Sequence, residues 1–530
     1  MRGGRVVAVC AASALVLGVL YLTLPPMGSD LSAQVARADF FTAHGPALVD
    51  LRWYGGVHPW GYSLVSPPLM ALLGVRPTGA LALLAAATAF AALLVRARVP
   101  RPLLGGLVGV FTIAGNLVSG RVTYGLGVAF GLVALLALTL PAGPVRRAWW
   151  VRGGLAGLAA LLAAAASPVA GLFVGLAGVA LLLTRRYADG LWLAVPAAAP
   201  LAVIGLLFGE GGWMNISSTD TLHAVLTGLL VAALAAYRPV RVGALLSAAG
   251  VLAAALLHTP VGLNATRLVV MFALPVLAAT ARLPQWTTRR LSLPRSGRRR
   301  LLGALAMAGL LAVVCWWQQP VVSADLHSAD DPTADPAYFT PLRSELARRG
   351  LTGRLEIPST RDYWEAAHLG EMPLARGWLR QADIARNPLF FTTVPGATGT
   401  GVPLTADSYR AWLADNAVQY VAVPDAELSW VGRPEAELVT AGLPYLTEVW
   451  SDAHWRVWVV NDPTQLVAPP AELVAQDAAT VTFRASTAGT VRIRVRHSRW
   501  LTVTGGATVT ADGDWTAVRV PDAGVYTLRS

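Results

Sequence analysis

The feature that most constrains this chain is a succession of apolar runs filling its first 320 residues. A bilayer crossing needs about 20 consecutive apolar residues, because the hydrocarbon core is about 30 Å thick and a helix rises about 1.5 Å per residue. The runs predict spanning helices near 6–25, 78–95, 103–120, 123–141, 153–166, 169–184, 191–208, 222–236, 243–257, 267–281 and 301–318. Of the 530 residues, 55% are hydrophobic and only 14% are charged, whereas a soluble chain carries about 25% charge. The deficit falls on the first part of the chain. The reading is therefore a membrane domain, 1–322, followed by soluble domains.

Every basic residue is Arg, and the net charge is +12. That balance invites a nucleic-acid reading, but the positions of the Arg argue against it. One set of loops holds 19 Arg: Arg2, Arg5, Arg96, Arg98, Arg101, Arg146, Arg147, Arg152, Arg185, Arg186, Arg238, Arg241 and seven between Arg282 and Arg300. The opposite loops hold five: Arg37, Arg52, Arg76, Arg121 and Arg267. Arg concentrates on the cytoplasmic side of membrane proteins. The asymmetry predicts an N-terminus inside, eleven crossings, and everything after Ser323 outside. The stretch Leu155 to Thr184 decides the parity, and a break at Ser167-Pro168 makes it two short helices. The run at 6–25 reads as an uncleaved first helix, since the nearest A-x-A, Ala36-Arg37-Ala38, lies over ten residues beyond it. Cys10 and Cys315 both fall inside runs, with no metal-ligand spacing.

This topology gathers all eight His, with Asp30, Asp39, Asp50, Glu210 and Asp220, on the outer side. The first outer loop, 26–68, is far longer than a normal helix connection. "LSAQVARADFFTAHG" places Leu31, Val35, Ala38 and Phe41 at helical spacing, with Gln34, Arg37 and His44 on another face. That pattern predicts an amphipathic helix on the membrane surface. Trp53, Tyr54, Trp60 and Tyr62 follow, and such rings suit the headgroup region. As an interfacial anchor the loop has its aromatics explained, but its Asp, Arg52 and His58 much less so.

One apolar helix, an acidic residue at its exit and a long outer loop with a surface helix: this opening resembles that of the C-type membrane glycosyltransferases, the GT-C fold. The stretch "HPWGYSLVSPP" looks like the end of such a loop. Tail segments with "WEA" and "ARGW" near "YVAVPD" look like those of actinobacterial proteins of this class. The resemblance covers about residues 1–320 in architecture. It implies a polytopic helical bundle in the cytoplasmic membrane, an extracytoplasmic site, a polyprenyl-phosphate-linked sugar donor and a glycan or lipid-linked acceptor. It implies that Asp30, by position, is the general base, with Asp39 and Asp50 ranked behind it. A second acidic motif has only Glu210 and Asp220 as nearest candidates.

Glycosyl transfer from a lipid phosphate needs a base for the acceptor hydroxyl and positive charge or donors for the leaving phosphate. The guanidinium fork suits phosphate. Asp50, Arg52, His58, Arg121, His223 and Arg267 are the candidate substrate-binding residues, with His258 and Asn264 beside Arg267. The plainer reading has the two Arg snorkelling to headgroups and the His capping helix ends. No Gly-rich phosphate loop, C-x-x-C or H-E-x-x-H occurs. No metal site is argued from scattered acids, and the cofactor is unknown, although relatives of this fold include users of a divalent cation. A transporter or flippase of lipid-linked glycans would show related halves and mid-membrane polar groups, and neither is evident. A non-catalytic membrane scaffold is the third reading.

The tail reads as two domains. Residues 323–462 predict an extracytoplasmic α/β domain: helices at "YFTPLRSELARRG" and "TADSYRAWLADNA", the latter capped by Thr405, and strands at "GRLEIPS", "VQYVAVPD" and "EVWSDAHWRVWVVN". Residues 463–530 alternate at period two and predict a small β-sandwich. Its Trp500 and Trp515 fit either a core or a sugar-stacking surface.

Overall fold

The computed structural model describes residues 3–141, 146–282 and 298–530. All eleven predicted apolar runs are helical. Six of the described helices are long and apolar enough to cross a membrane: Gly3–Thr23, Val75–Arg96, Trp149–Ala166, Tyr187–Phe208, Arg238–Leu256 and Gly262–Thr280. Five apolar helices are shorter: Pro102–Val118, Val122–Ala137, Pro168–Leu183, Ser218–Leu234 and Gly303–Trp317. Most of the Arg-rich run 282–300 lies outside the described residues.

The break at Ser167-Pro168 is present. Ser167 accepts a hydrogen bond from the Ala170 N–H and Pro168 opens the next helix, so the orphan donors of a new N-terminus are met by a cap. The helices pack through small residues. A Cβ on Gly105 would collide with Ala279, and one on Gly178 would meet Ala194 at 2.8 Å. Close backbone approach of this kind is how helices associate where lipid removes the hydrophobic drive.

The chain forms two compact units. The membrane unit is Met1–Gly28, Ser63–Leu207 and Met214–Ala329. The soluble unit is Ser29–Tyr62, Phe208–Trp213 and Asp330–Ser530. The first outer loop thus folds with the tail.

In the soluble unit, β1 (Arg354–Glu356), β2 (Val418–Pro424), β3 (Leu446–Ser451) and β4 (Trp455–Val460) form a sheet in the order β1-β2-β4-β3. The first pair is parallel and the other two antiparallel. The helix Ala406–Asp415 starts on a reciprocal capping box between Thr405 and Ser408. The remaining strands are β5 (Glu472–Gln476), β6 (Thr480–Ala485), β7 (Gly489–Arg496), β8 (Thr502–Val503), β9 (Thr508–Asp512), β10 (Trp515–Val520) and β11 (Gly524–Arg529). They make two sheets, β7-β10-β9 and β5-β6-β11-β8, around Val481, Phe483, Ile493, Val518 and Leu528.

Two sequence expectations change here. The surface helix exists at Leu31–His44, but Gln34 and Arg37 are buried along with Leu31 and Phe40. Its polar face does not look into water. Trp53 and Tyr54 are 2% and 1% exposed, so they are not headgroup anchors. They sit in a turn where Asp50 pairs with Val57 and Tyr54, Gly55 and Gly56 take positive φ. Trp53 Nε1 donates to Ala366 O and the Tyr54 hydroxyl to Gly377 O. The loop reads as an aromatic belt in one dimension because the partners that bury it lie over 300 residues away.

Candidate active site

In the soluble unit, Asp30 is the residue before the surface helix and is 8% exposed. Its carbonyl accepts from Gln34 Nε2 at 3.3 Å, and the neighbouring Ser29 carbonyl accepts from Trp378 Nε1 at 3.1 Å. Asp30, Gln34 and Arg37 are spaced i, i+4, i+7 and share a helix face. Helical side chains lean towards the N-terminus, so the Arg37 guanidinium reaches back along that face.

Arg37 is the residue that sequence reasoning overlooked. It is 5% exposed. Its guanidinium carbon lies 3.7 Å from the Tyr62 ring centroid, 5.1 Å from Trp378 and 5.6 Å from Trp53. Among the described residues its hydrogen bonding is a single long contact, Nη1 to Ala33 O at 3.4 Å, and no carboxylate ion-pairs with it. Burial holds its pKa below the ordinary value, opposed by Tyr62, Asp50 and Asp30. A buried cation that lacks a counter-ion is costly, and three aromatic faces stabilise it only in part. The available signal was its place on the face of Asp30 and Gln34; the aromatic partner at 378 was out of view.

Asp50 and Arg52 satisfy each other instead. Arg52 Nη2 lies 2.7 Å from Asp50 Oδ2 and its Nε 3.0 Å from Oδ1, while Nη2 also donates to Ala36 O at 2.8 Å. The pair is buried, at 3% and 5% exposure, and ties the aromatic turn to the surface helix. Asp39 is exposed on the helix's other side. Burial raises its carboxyl, with Arg52 opposing.

His58 meets Glu210. Its backbone N–H donates to Glu210 Oε1, and its Nδ1 lies 3.0 Å from the same oxygen but out of line for a hydrogen bond. Arg386 Nη2 reaches Glu210 Oε2 at 2.5 Å, and His58 Nε2 pairs with Ser498 Oγ at 2.9 Å. Burial raises the Glu210 carboxyl, but His58 and Arg386 outweigh it and leave it lowered. Trp500 stacks on Phe208 at 5.5 Å, and Trp515 is buried with Nε1 on Asp415 Oδ1 at 3.0 Å.

The membrane unit brings together two of the predicted residues. Arg267 lies 5.3 Å over the Tyr124 ring, and Arg121 and Arg267 both act electrostatically on the Tyr124 phenol. The Tyr124 hydroxyl is buried without a partner among the described residues. In the same unit, Ser119 donates to Asp325 Oδ2 at 2.5 Å and Ser328 Oγ accepts from the Gly28 N–H at 2.9 Å. His223 is elsewhere, stacked on Trp317 at 6.0 Å, whose Nε1 donates to Thr227. Ser217 caps that helix by accepting from the Asp220 N–H at 2.9 Å, and its hydroxyl donates to Asp220 Oδ2 at 2.6 Å.

No family model matches this chain, and no curated protein does. Among solved structures it is similar to the arabinofuranosyltransferase AftD from Mycobacteria, at 18% identity and a TM-score of 0.47, over 91% of this chain and 41% of that one. A mutant form of AftD aligns at 18% identity and 0.48, over 87% and 42%. ArnT from Cupriavidus metallidurans in the apo state aligns at 14% identity and 0.44, over 85% and 97%. The chain spans about two fifths of the length of AftD, 41%.

Proposed function

We propose that the protein is a membrane glycosyltransferase of the cytoplasmic membrane. It takes a sugar from a polyprenyl-phosphate donor at the outer face and transfers it to an envelope glycan or lipid-linked acceptor. In this reading all eleven apolar helices cross the bilayer, the N-terminus is inside and the soluble unit outside.

The observation that carries the reading is the pairing of Asp30 and Arg37 on one helix face, the buried Arg37 guanidinium making no carboxylate ion pair among the described residues. Asp30 accepts the proton of the acceptor hydroxyl as its oxygen attacks the anomeric carbon. The bond from that carbon to the phosphate oxygen breaks, and the phosphate leaves with one more negative charge. Arg37 faces that growing charge, and charge that develops in the transition state is where a preorganised cation acts most strongly. Tyr62 and Trp378 offer aromatic faces beside it. Within the membrane unit, Arg121 and Arg267 gather at Tyr124 and are cations of the kind that a lipid phosphate pairs with. Asp50, Arg52 and His58 act by holding the loop that carries Tyr62.

The test is Asp30→Asn, assayed as sugar transfer from a polyprenyl-phosphate donor in purified membranes. It should fold normally and lose roughly 10²-fold or more in rate, the usual scale for a positioned base. Asp39→Asn, on the exposed side, should keep its activity. Full activity in Asp30→Asn would remove the carboxylate mechanism.

A further inference from the structure

The sequence shows no metal-ligand spacing, yet the fold brings three ligand-type side chains together well away from Asp30. His44 ends the surface helix, Glu371 follows the short helix Glu365–His368, and Asp477 lies in the turn between β5 and β6. One ligand atom from each lies within 4.8 Å of the other two. His44 Nε2 and Glu371 Oε2 are 2.9 Å apart.

We propose that His44, Glu371 and Asp477 bind a divalent transition-metal ion, Zn²⁺ in preference to Ca²⁺ or Mg²⁺. The donor set decides the ion: one imidazole with two carboxylates suits Zn²⁺, while Ca²⁺ and Mg²⁺ favour all-oxygen sites. Tetrahedral bonds of about 2.0 Å put ligand atoms about 3.3 Å apart. His44 and Glu371 already stand near that spacing, and Asp477, within 4.8 Å of both, has at most about 1.5 Å to close on the same geometry.

Both carboxylates are held by groups that leave other lone pairs available. Glu371 Oε2 accepts from the Ala478 N–H at 2.8 Å. Asp477 accepts from the Ala479 and Thr480 N–H groups at 2.8 and 2.7 Å, and from Thr480 Oγ1 at 2.8 Å. Such outer contacts orient metal ligands. The charge balance also favours a cation. Arg52 feels the fields of Glu371 and Asp39, but its guanidinium is already engaged by Asp50. The His44 side chain is 18% exposed and that of Glu371 49%, so an ion has a path in from water. Once bound, it would pin the far end of the helix that carries Arg37 to two turns from distant parts of the chain.

The test uses the purified 530-residue chain in detergent, stripped with a chelator and titrated calorimetrically with ZnCl₂, then with MnCl₂ and CaCl₂. We expect one Zn²⁺ per chain, with Ca²⁺ much weaker. Glu371→Gln and Asp477→Asn should each weaken Zn²⁺ by at least about tenfold, the lower end of what even outer contacts cost. Circular dichroism should show both variants folded. X-ray absorption should show nitrogen and oxygen neighbours without sulfur, which excludes Cys10 and Cys315 as ligands. Absence of Zn²⁺ binding, or binding unchanged in both variants, overturns the site. Sugar transfer is not the readout, so this outcome is independent of the proposed activity.

Discussion

Replacing Glu365 with Gln should change how the soluble unit responds to pH. Glu365 is 3% exposed. Its Oε2 accepts from Thr360 Oγ1 at 2.5 Å and from the Thr360 N–H at 3.3 Å. Burial pushes its carboxyl up from 4.5 to about 7, against the hydrogen bonds from Thr360. The gap from the unfolded value is therefore about 2.5 units, at about 1.36 kcal/mol each, or roughly 3 kcal/mol. The sign follows from where the proton sits. Below about pH 4.5 both states hold it and stability is at its full value. Between there and about pH 7 the unfolded chain releases a proton that the folded chain keeps, so stability falls as pH rises. Above about pH 7 both are ionised and the loss is complete. Gln cannot titrate and resembles the protonated acid in shape and hydrogen bonding. Opening free energies of the β2 amides, from native-state hydrogen exchange, report the stability of this unit. The variant should match wild type near pH 4.5 and exceed it by roughly 3 kcal/mol near pH 7.5. Glu356 and Glu435, both raised by burial, and His368, lowered by it, are common to both proteins and cancel in the difference. A difference that stays constant across this window would refute the reasoning.

Arg37→Met should lower kcat/KM for the lipid-phosphate donor by roughly 10²–10³-fold while leaving the fold intact, since it removes a cation aimed at developing charge. Arg37→Lys should recover only part, because a point charge lacks the planar fork; full activity in Arg37→Met removes the phosphate role. Arg376→Met should cost the soluble unit about 3–5 kcal/mol, since Arg376 lies 3.0 Å from Asp383, 3.0 Å from Glu435 and 3.6 Å from Glu356, all buried; an unchanged thermal midpoint would contradict this. Alkaline phosphatase fused after Ser323 should be active and fused after Arg300 inactive, and the reverse pattern would invert the topology.

The sequence by itself determined the apolar helices, the hairpin at Ser167-Pro168 and the strands of the tail. These follow from run length, one Pro with its capping Ser, and alternation at period two, all of which act over a few residues. It also singled out Asp30, because a carboxylate at the exit of an apolar helix stands out against a chain poor in charge. Arg121 and Arg267 were legible as isolated charges at helix ends, though not that Tyr124 gathers them. Asp50 and Arg52 read as candidate substrate-binding residues; only the fold shows them consumed in one buried pair. The aromatics at 53 and 54 looked amphipathic because that pattern is shared by a membrane anchor and a buried turn. Burial is set by which distant segment covers a residue, here Ala366 and Gly377. Tertiary structure alone decided that Arg37 lies against Tyr62 and Trp378, and that His44 meets Glu371 and Asp477. Contacts across more than 300 residues leave no local period in a sequence, since they depend on how the chain returns on itself.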